Sequence, residues 1–142
     1  MPAQALLVLT TVAKKPDAAR IAITLLREGL IACANILNQV ESHYTWKDKL
    51  ETENEWLLLM KTTPAAFPLL ENRLIRIHPY ECPEIVALAA DKVGKAYAAW
   101  LQASVVGMPS KTAKHEASHA QLGLTLPERK TKLKPKKIVK RK

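Results

Sequence analysis

The chain of 142 residues has 48% apolar residues and a net charge of +9, values that fit one soluble globular domain with an appendage. The spacing of its two cysteines, Cys33 and Cys82, excludes a disulfide framework and a zinc ribbon, and no apolar run approaches the roughly 20 residues of a membrane span. The first residues lack the features of a signal peptide, so we expect reduced thiols and a cytoplasmic protein.

The first half of the chain predicts a strand, a helix and a long hairpin. Residues 5–11 form a continuous apolar and β-branched run, which is typical of a strand buried on both faces. Pro16 begins a helix with apolar residues at helical spacing, and Gly29 ends it. Residues 30–46 and 50–62 predict the two strands of one hairpin, with Asp48 in the turn because aspartate tolerates left-handed backbone.

The second half predicts a helix, a short strand and a third helix. Pro64 begins the second helix, which ends near Ile77 because His78 precedes a proline. Residues 85–89 read as a short strand and residues 96–105 as a helix. This order predicts an α+β sandwich with the helices on one face of an antiparallel sheet. The hairpin strands are longer than such a sheet pairs internally, which favours pairing of their exposed ends with a neighbouring copy.

The segment from His78 to Glu84 (His-Pro-Tyr-Glu-Cys-Pro-Glu) is the densest group of chemically distinctive residues in the chain. It resembles the signature of the CutA family of divalent-cation tolerance proteins, and the resemblance extends over about residues 5–104. The other matching segments are Cys33-Ala34-Asn35, Ser42-His43-Tyr44-Thr45-Trp46, Lys61-Thr62 and Tyr97-Ala98-Ala99-Trp100. The resemblance implies that residues 1–104 form a ferredoxin-like βαββαβ sandwich with an extended central hairpin and an additional C-terminal helix. It also implies a homotrimer.

The resemblance further implies a role in handling copper or another divalent metal, although the fold itself is expected to need no cofactor. A soft thiolate beside an imidazole suits copper or zinc. Some family members have a cysteine in the first strand and a second histidine before the proline, where this chain has Thr10 and Ile77, and this difference weakens the case for copper. The alternatives are that His78 only fixes the turn and that Cys33 is a buried apolar residue. The predicted metal residues are His78, Cys82, Cys33 and Glu84.

A cleft between subunits is the second candidate site that the resemblance implies. Lys61 would meet an anion there, or it would pair with an acidic residue such as Glu55, Glu81 or Glu84. The aromatic residues are either cleft-lining groups or ordinary packing groups. The predicted cleft residues are Lys61, Tyr80, Tyr97 and Trp100. The sequence has no phosphate-binding glycine loop, nucleophile elbow or zinc-hydrolase motif, so we expect no enzyme.

Residues 105–142 form a basic tail that we expect to be disordered. Residues 1–104 carry 11 basic and 11 acidic residues, so the 11 basic and 2 acidic residues of the tail account for the whole excess charge. The tail is either an anchor to nucleic acid or another polyanion, or a solubilising appendage. His115 and His119 share one face if this segment is helical, which is a weak indication of metal binding. The predicted polyanion-binding residues are Arg129, Lys130, Lys132, Lys134, Lys136, Lys137, Lys140, Arg141 and Lys142.

These observations predict a divalent-metal tolerance protein that acts as a trimeric metal- or small-ligand-binding module without covalent catalysis. One alternative is a trimeric scaffold that binds nucleic acid or another polyanion through the tail. The other is a signalling module like the PII proteins, which rests on analogy of fold alone.

Overall fold

The computed structural model describes residues 4–106, which form four strands and three helices. The elements follow the predicted order, so the α+β, ferredoxin-like βαββαβ arrangement with an additional C-terminal helix is confirmed. Their bounds are β1 (Leu6–Val12), α1 (Lys15–Arg27), β2 (Cys33–Trp46), β3 (Lys49–Thr62), α2 (Phe67–Ile77), β4 (Val86–Ala89) and α3 (Lys95–Ser104).

The four strands form one antiparallel sheet in the order β2-β3-β1-β4. β1 pairs with β3 from Leu6 opposite Thr62 to Val12 opposite Trp56, and it pairs with β4 on its other side. β2 and β3 pair with each other as far as the hairpin turn. Because β1 ends at Val12, the hairpin continues beyond the sheet, and residues 49–55 of β3 pair only with β2 in the described part of one chain.

The first two helices cover one face of the sheet. Arg73 of α2 donates from Nε to the Oε1 atom of Glu28 and from Nη2 to its Oε2 atom, both at 2.9 Å, and this bidentate ion pair ties α2 to the end of α1. Each large apolar side chain buried in such a core contributes about 1.5–3 kcal/mol. The fully buried residues between sheet and helices include Val8, Val12, Ile21, Leu25, Leu58, Met60, Leu70 and Leu74.

The opposite face of the sheet, which we call the open face, has no helix over it in the described residues. Strand alternation places Leu7 and Leu9 of β1 on this face opposite Lys61 and Leu59 of β3, and Leu7 and Leu9 are half-buried. β1 was predicted to be buried on both faces, but in a single chain Leu7 and Leu9 on its open face are only half-buried, whereas Val8, Thr10 and Val12 on its helical face are buried. Other apolar residues of the open face are Leu57, Leu59, Leu37, Val86 and Leu88.

The turns explain where the elements begin and end. Lys47 and Asp48 have φ values of 50° and 64°, so the hairpin turn uses left-handed backbone at both central residues, as expected for Asp48. Gly29 has a φ of 69° and lies just beyond the end of α1, where the sequence predicted that the helix stops. α2 begins at Phe67 rather than at Pro64, because the backbone N–H of Ala66 is bonded back to Thr63 and the intervening residues form a turn.

α3 packs across one end of the sheet rather than on its helical face. Leu101 and Val105 join Ala5, Ala32 and Ala66 in a second, smaller apolar cluster. None of the helices in residues 4–106 is long and apolar enough to cross a membrane.

Candidate functional site

Cys33, Asn35, Lys61 and Tyr97 form a polar cluster at the rim of the open face, which we call the Cys33 cluster. Cys33 and Lys61 are direct partners in the pairing of β2 with β3, and the Lys61 Nζ atom lies 3.7 Å from the Cys33 Sγ atom. Lys61 also donates a short hydrogen bond to the Asn35 Oδ1 atom. Because residues two apart on a strand share a face, Cys33 and Asn35 both reach the same ammonium group.

α3 supplies the aromatic side of the Cys33 cluster. The phenol of Tyr97 interacts with Cys33, and its ring lies 5.3 Å from the ring of Trp100. Burial raises the pKa of Tyr97 above its ordinary value of 10.0, and the charge and hydrogen bond of Cys33 raise it further. Tyr97 and Trp100 are 42% and 47% exposed, so this end of the cluster is open to solutes in a single chain.

A second, buried polar network lies around His78. The backbone N–H of Tyr80 donates to the Nδ1 atom of His78 at 3.0 Å, and the Nε2 atom lies 2.9 Å from the hydroxyl of Thr10. Since Nδ1 accepts a hydrogen bond, a neutral imidazole carries its proton on Nε2 and donates it to Thr10. His78 is 2% exposed and its backbone is extended, as expected before a proline. The imidazole therefore fixes the turn that follows α2.

The network continues from Tyr80 to the hairpin. The Tyr80 hydroxyl donates to one carboxylate oxygen of Glu55 and the Ser42 hydroxyl donates to the other, both at 2.7 Å. Glu55 is 1% exposed and Tyr80 is 4% exposed. A buried carboxylate is costly unless polar groups compensate its lost hydration. These two bonds therefore couple the turn after α2 to the part of the hairpin that lies beyond β1.

The four predicted metal residues are not brought together within the described part of one chain. No group of three His, Cys, Asp or Glu residues in residues 4–106 is arranged to hold a metal ion. Cys82 is exposed in the loop before β4 and Glu84 is half-buried in it, whereas Cys33 lies in the other cluster. A metal ion at His78 must displace either the hydrogen bond from the Tyr80 N–H or the one to Thr10. These residues as placed do not fit a preformed metal centre, and their role in metal binding stays a prediction.

The predicted cleft residues divide between the two groups. Lys61, Tyr97 and Trp100 lie together, whereas Tyr80 belongs to the buried network around His78. In the structure Lys61 contacts Asn35 and Cys33, in place of the acidic partners that the sequence suggested for it. Cys33 is half-buried and faces the Lys61 ammonium group, so it is not enclosed by the apolar core.

Sequence reasoning missed the roles of Thr10, Asn35, Ser42 and Glu55 in these networks. The role of Asn35 could have been found, because it stands two positions after Cys33 on a predicted strand. The partnership of Glu55 with Ser42 and Tyr80 has no local sequence signal. The basic tail residues and the histidines at 115 and 119 lie outside the described residues.

The family match, the similar sequences and the similar structures all point to the same family. A family described as "CutA1 divalent ion tolerance protein" matches residues 6–104. The chain is 43% identical over 95 residues to the divalent-cation tolerance protein CutA of Thermus thermophilus, covering 67% of this chain and 92% of that protein. It is 34% identical over 85 residues to the human protein CutA, which is longer, so the match covers 60% of this chain and 48% of the human protein. The crystal structure of CutA1 from Oryza sativa superimposes with a TM-score of 0.71 at 33% identity, covering 73% of this chain and 95% of that one.

Proposed function

The chain belongs to the CutA1 family of divalent ion tolerance proteins, and from this premise we propose that it acts in the response to divalent metal ions as a cytoplasmic homotrimer. In this proposal the trimer binds a metal ion or a small ligand and performs no catalysis of its own. The observation that carries the proposal is the apolar open face of the sheet with the Cys33 cluster at its rim.

The open face supports assembly of identical copies. Val86 and Leu88 of β4 are 46% and 52% exposed, and they continue the half-buried leucines of β1 and β3. A continuous apolar sheet face in water is a typical interaction surface. The open face is bordered by two outer strands, β2 and β4, whose outer edges have no partner strand among residues 4–106. Strand edges on opposite sides of one sheet suit a head-to-tail contact between copies, which closes into a ring after a whole number of copies. The family resemblance implies three.

The Cys33 cluster supports ligand binding at the subunit contact. Because Lys61 and Tyr97 stand at the rim of the open face, a neighbouring copy that covers this face would enclose them on a second side. Ligand sites are frequent in such clefts between subunits. An ammonium group, an amide and a phenol together provide donors for a small anionic ligand. We propose that a small effector binds in this cleft. The alternative is that the trimer binds copper or another divalent ion directly.

Light scattering after size-exclusion chromatography tests the assembly. We expect the full chain to have the mass of three copies, and Leu88→Glu to reduce it to one copy by placing a carboxylate on the open face. Ile75→Glu is the matched control, because Ile75 of α2 is 48% exposed on the opposite side of the molecule. Circular dichroism confirms that each variant is folded. A monomeric parent protein, or equal dissociation by both substitutions, would overturn the assembly.

Calorimetric titration of the reduced protein with Cu(II), Zn(II) and Ni(II) tests direct metal contact. Tight, stoichiometric binding that is lost in His78→Ala and kept in His43→Ala would place the ion at His78, since His43 is exposed on the hairpin. Binding that His78→Ala leaves unchanged would exclude His78 and direct the search to the Cys33 cluster and the tail.

The charge distribution favours one second candidate, a polyanion-binding trimeric scaffold. Three copies of a tail with 11 basic and 2 acidic residues would bind phosphates together and release counterions. Filter binding of single-stranded DNA by the full chain and by a variant without residues 107–142 separates the candidates. Binding that survives this deletion would refute the scaffold.

A further inference from the structure

Cys33 and Lys61 place a thiol and a primary amine side by side on adjacent strands. The two residues are direct cross-strand partners, with 3.7 Å between sulfur and nitrogen. The backbone beneath them is held in register by the hydrogen bond from the Ala32 N–H to the Lys61 carbonyl oxygen at 2.8 Å. Cys33 is only half-buried, so a small solute reaches this pair in a single chain. The proposed ligand site uses no chemistry of the contact between sulfur and nitrogen.

We propose that Cys33 and Lys61 form a reversible sulfur–nitrogen cross-link, a sulfenamide, when the protein meets a hydroperoxide. The Cys33 sulfur attacks one oxygen of the peroxide, the O–O bond breaks, and an alcohol or water leaves. Cys33 is thereby oxidised to a sulfenic acid and the peroxide is reduced. Sulfenic acids condense with a neighbouring thiol or nitrogen.

Lys61 supplies that nitrogen. Its ammonium group first loses one proton to solvent, and the free amine then attacks the oxidised sulfur of Cys33. The S–N bond forms as the S–O bond breaks, and the departing hydroxide takes the second amine proton and leaves as water. The sum is thiol plus amine plus hydroperoxide giving sulfenamide, alcohol and water. Two equivalents of an external thiol reverse it, giving back the thiol and amine and forming one external disulfide.

The surroundings of Cys33 favour this outcome over ordinary overoxidation. The Lys61 Nζ atom donates to the Cys33 sulfur and lies 3.7 Å from it, so the attacking nitrogen is already beside the atom that becomes oxidised. Asn35 accepts a hydrogen bond from the Lys61 Nζ atom, which keeps the side chain directed along this part of the strand. Cys82, by contrast, is exposed in a loop whose sequence neighbours include Glu81 and Glu84, and the described residues place no lysine contact on it. Cys82 is therefore an internal control for the reactivity of Cys33.

The consequence of the cross-link is local and electrostatic. It removes the positive charge of Lys61, takes away the donor to Asn35 and replaces the Cys33 thiol that contacts the Tyr97 phenol. It also ties the first residue of β2 covalently to the end of β3. The oxidised protein would then present a neutral cluster where the reduced protein presents an ammonium group. This oxidation is independent of whether the cleft binds an effector.

Intact mass spectrometry of the full-length Cys82→Ser protein tests the proposal, because this background cannot form a disulfide within one chain. After treatment with hydrogen peroxide and removal of the excess with catalase, the denatured, unreduced protein should lose the mass of two hydrogen atoms. Peptide mapping should join a peptide containing Cys33 to one containing Lys61, and dithiothreitol should restore the original mass and separate them.

Lys61→Arg in the same background is the decisive variant, because it keeps the positive charge but lacks a primary amine. It should stop at the sulfenic acid, which dimedone traps on the peptide containing Cys33, and no joined peptides should form. Lys95→Arg is the matched control at the start of α3 and should behave like the parent. A Cys33 that gains oxygen without joining Lys61, a dimer linked through two copies of Cys33, or the same loss of two hydrogens in Lys61→Arg would each overturn the proposal.

Discussion

Replacing Tyr80 with phenylalanine isolates the hydroxyl that connects the turn after α2 to the hairpin. The ring of phenylalanine can keep its packing 5.0 Å from the imidazole of His78, and the backbone N–H of residue 80 still donates to His78. The change removes the 2.7 Å hydrogen bond to Glu55, which then depends more strongly on Ser42 and its other surroundings.

The size of the effect follows from the burial of Glu55. Its side chain is among the largest that are fully buried, with 1% of the residue exposed, so water replaces the lost donor poorly. Hydrogen bonds to charged groups contribute about 1.5–3 kcal/mol to stability. We therefore expect Tyr80→Phe to reduce the free energy of unfolding by about 2 kcal/mol, near the middle of that range.

Urea unfolding followed by circular dichroism measures this loss. All variants need the same protein concentration, because dissociation of a trimer contributes to its apparent stability. With a typical slope for a small protein, the midpoint should fall by about 1 M urea. Tyr97→Phe is the control: its ring is 42% exposed, and we expect a change within about 0.5 kcal/mol. A Tyr80→Phe loss as small as that of the control would refute a stabilising role for the Glu55 network.

Three further predictions concern single positions. Gly29→Ala should destabilise the protein by about 1 kcal/mol or more in the same assay, because the new methyl group meets the Val106 side chain at 2.7 Å and φ is 69°. Asp48→Gly should stabilise it by up to about 1 kcal/mol, because glycine adopts the φ of 64° without strain; an unchanged midpoint would contradict this. Tyr97 should ionise above pH 10.0 in an absorbance titration corrected with Tyr97→Phe, and Cys33→Ser should bring its pKa closer to that value.

The order of elements was predictable from the sequence because its signals are local. Prolines mark the start of α1 and the region before α2, and the pair His78-Pro79 marks the end of α2. The left-handed turn at Asp48 follows from its residue type. Boundaries were less accurate where the chain turns without a breaker: β2 begins at Cys33, although its apolar pattern already starts at Leu30.

The partners of Lys61 were not predictable because they depend on the register of a hairpin. The sequence offers several acidic residues as partners, and only the pairing of residue 33 with residue 61 brings the ammonium group to Cys33. A shift of one residue would turn the side chains of β2 to the other face and separate the two groups. Sequence periodicity assigns each strand its alternation but does not state which residues stand opposite each other.

A bulge in β2 shifts the register of the hairpin between Leu37 and Val40, and the sequence pattern does not reveal it. Leu37 pairs with Leu57 but Val40 pairs with Glu55, so β2 contains one extra residue between these pairs, near Gln39 with its φ of 51°. Before the bulge the odd-numbered residues of β2 share a face with the odd-numbered residues of β3. After the bulge the even-numbered residues of β2 share that face with the odd-numbered residues of β3. Unbroken alternation from Cys33 would have placed Ser42 on the face opposite to Glu55. Because of the bulge, Ser42 shares a face with Glu55 and donates a hydrogen bond to it. The bulge places a non-glycine residue, Gln39, in strained left-handed backbone. Because of it, β2 contributes Cys33 to the Cys33 cluster at its start and Ser42 to the buried Glu55 network farther along.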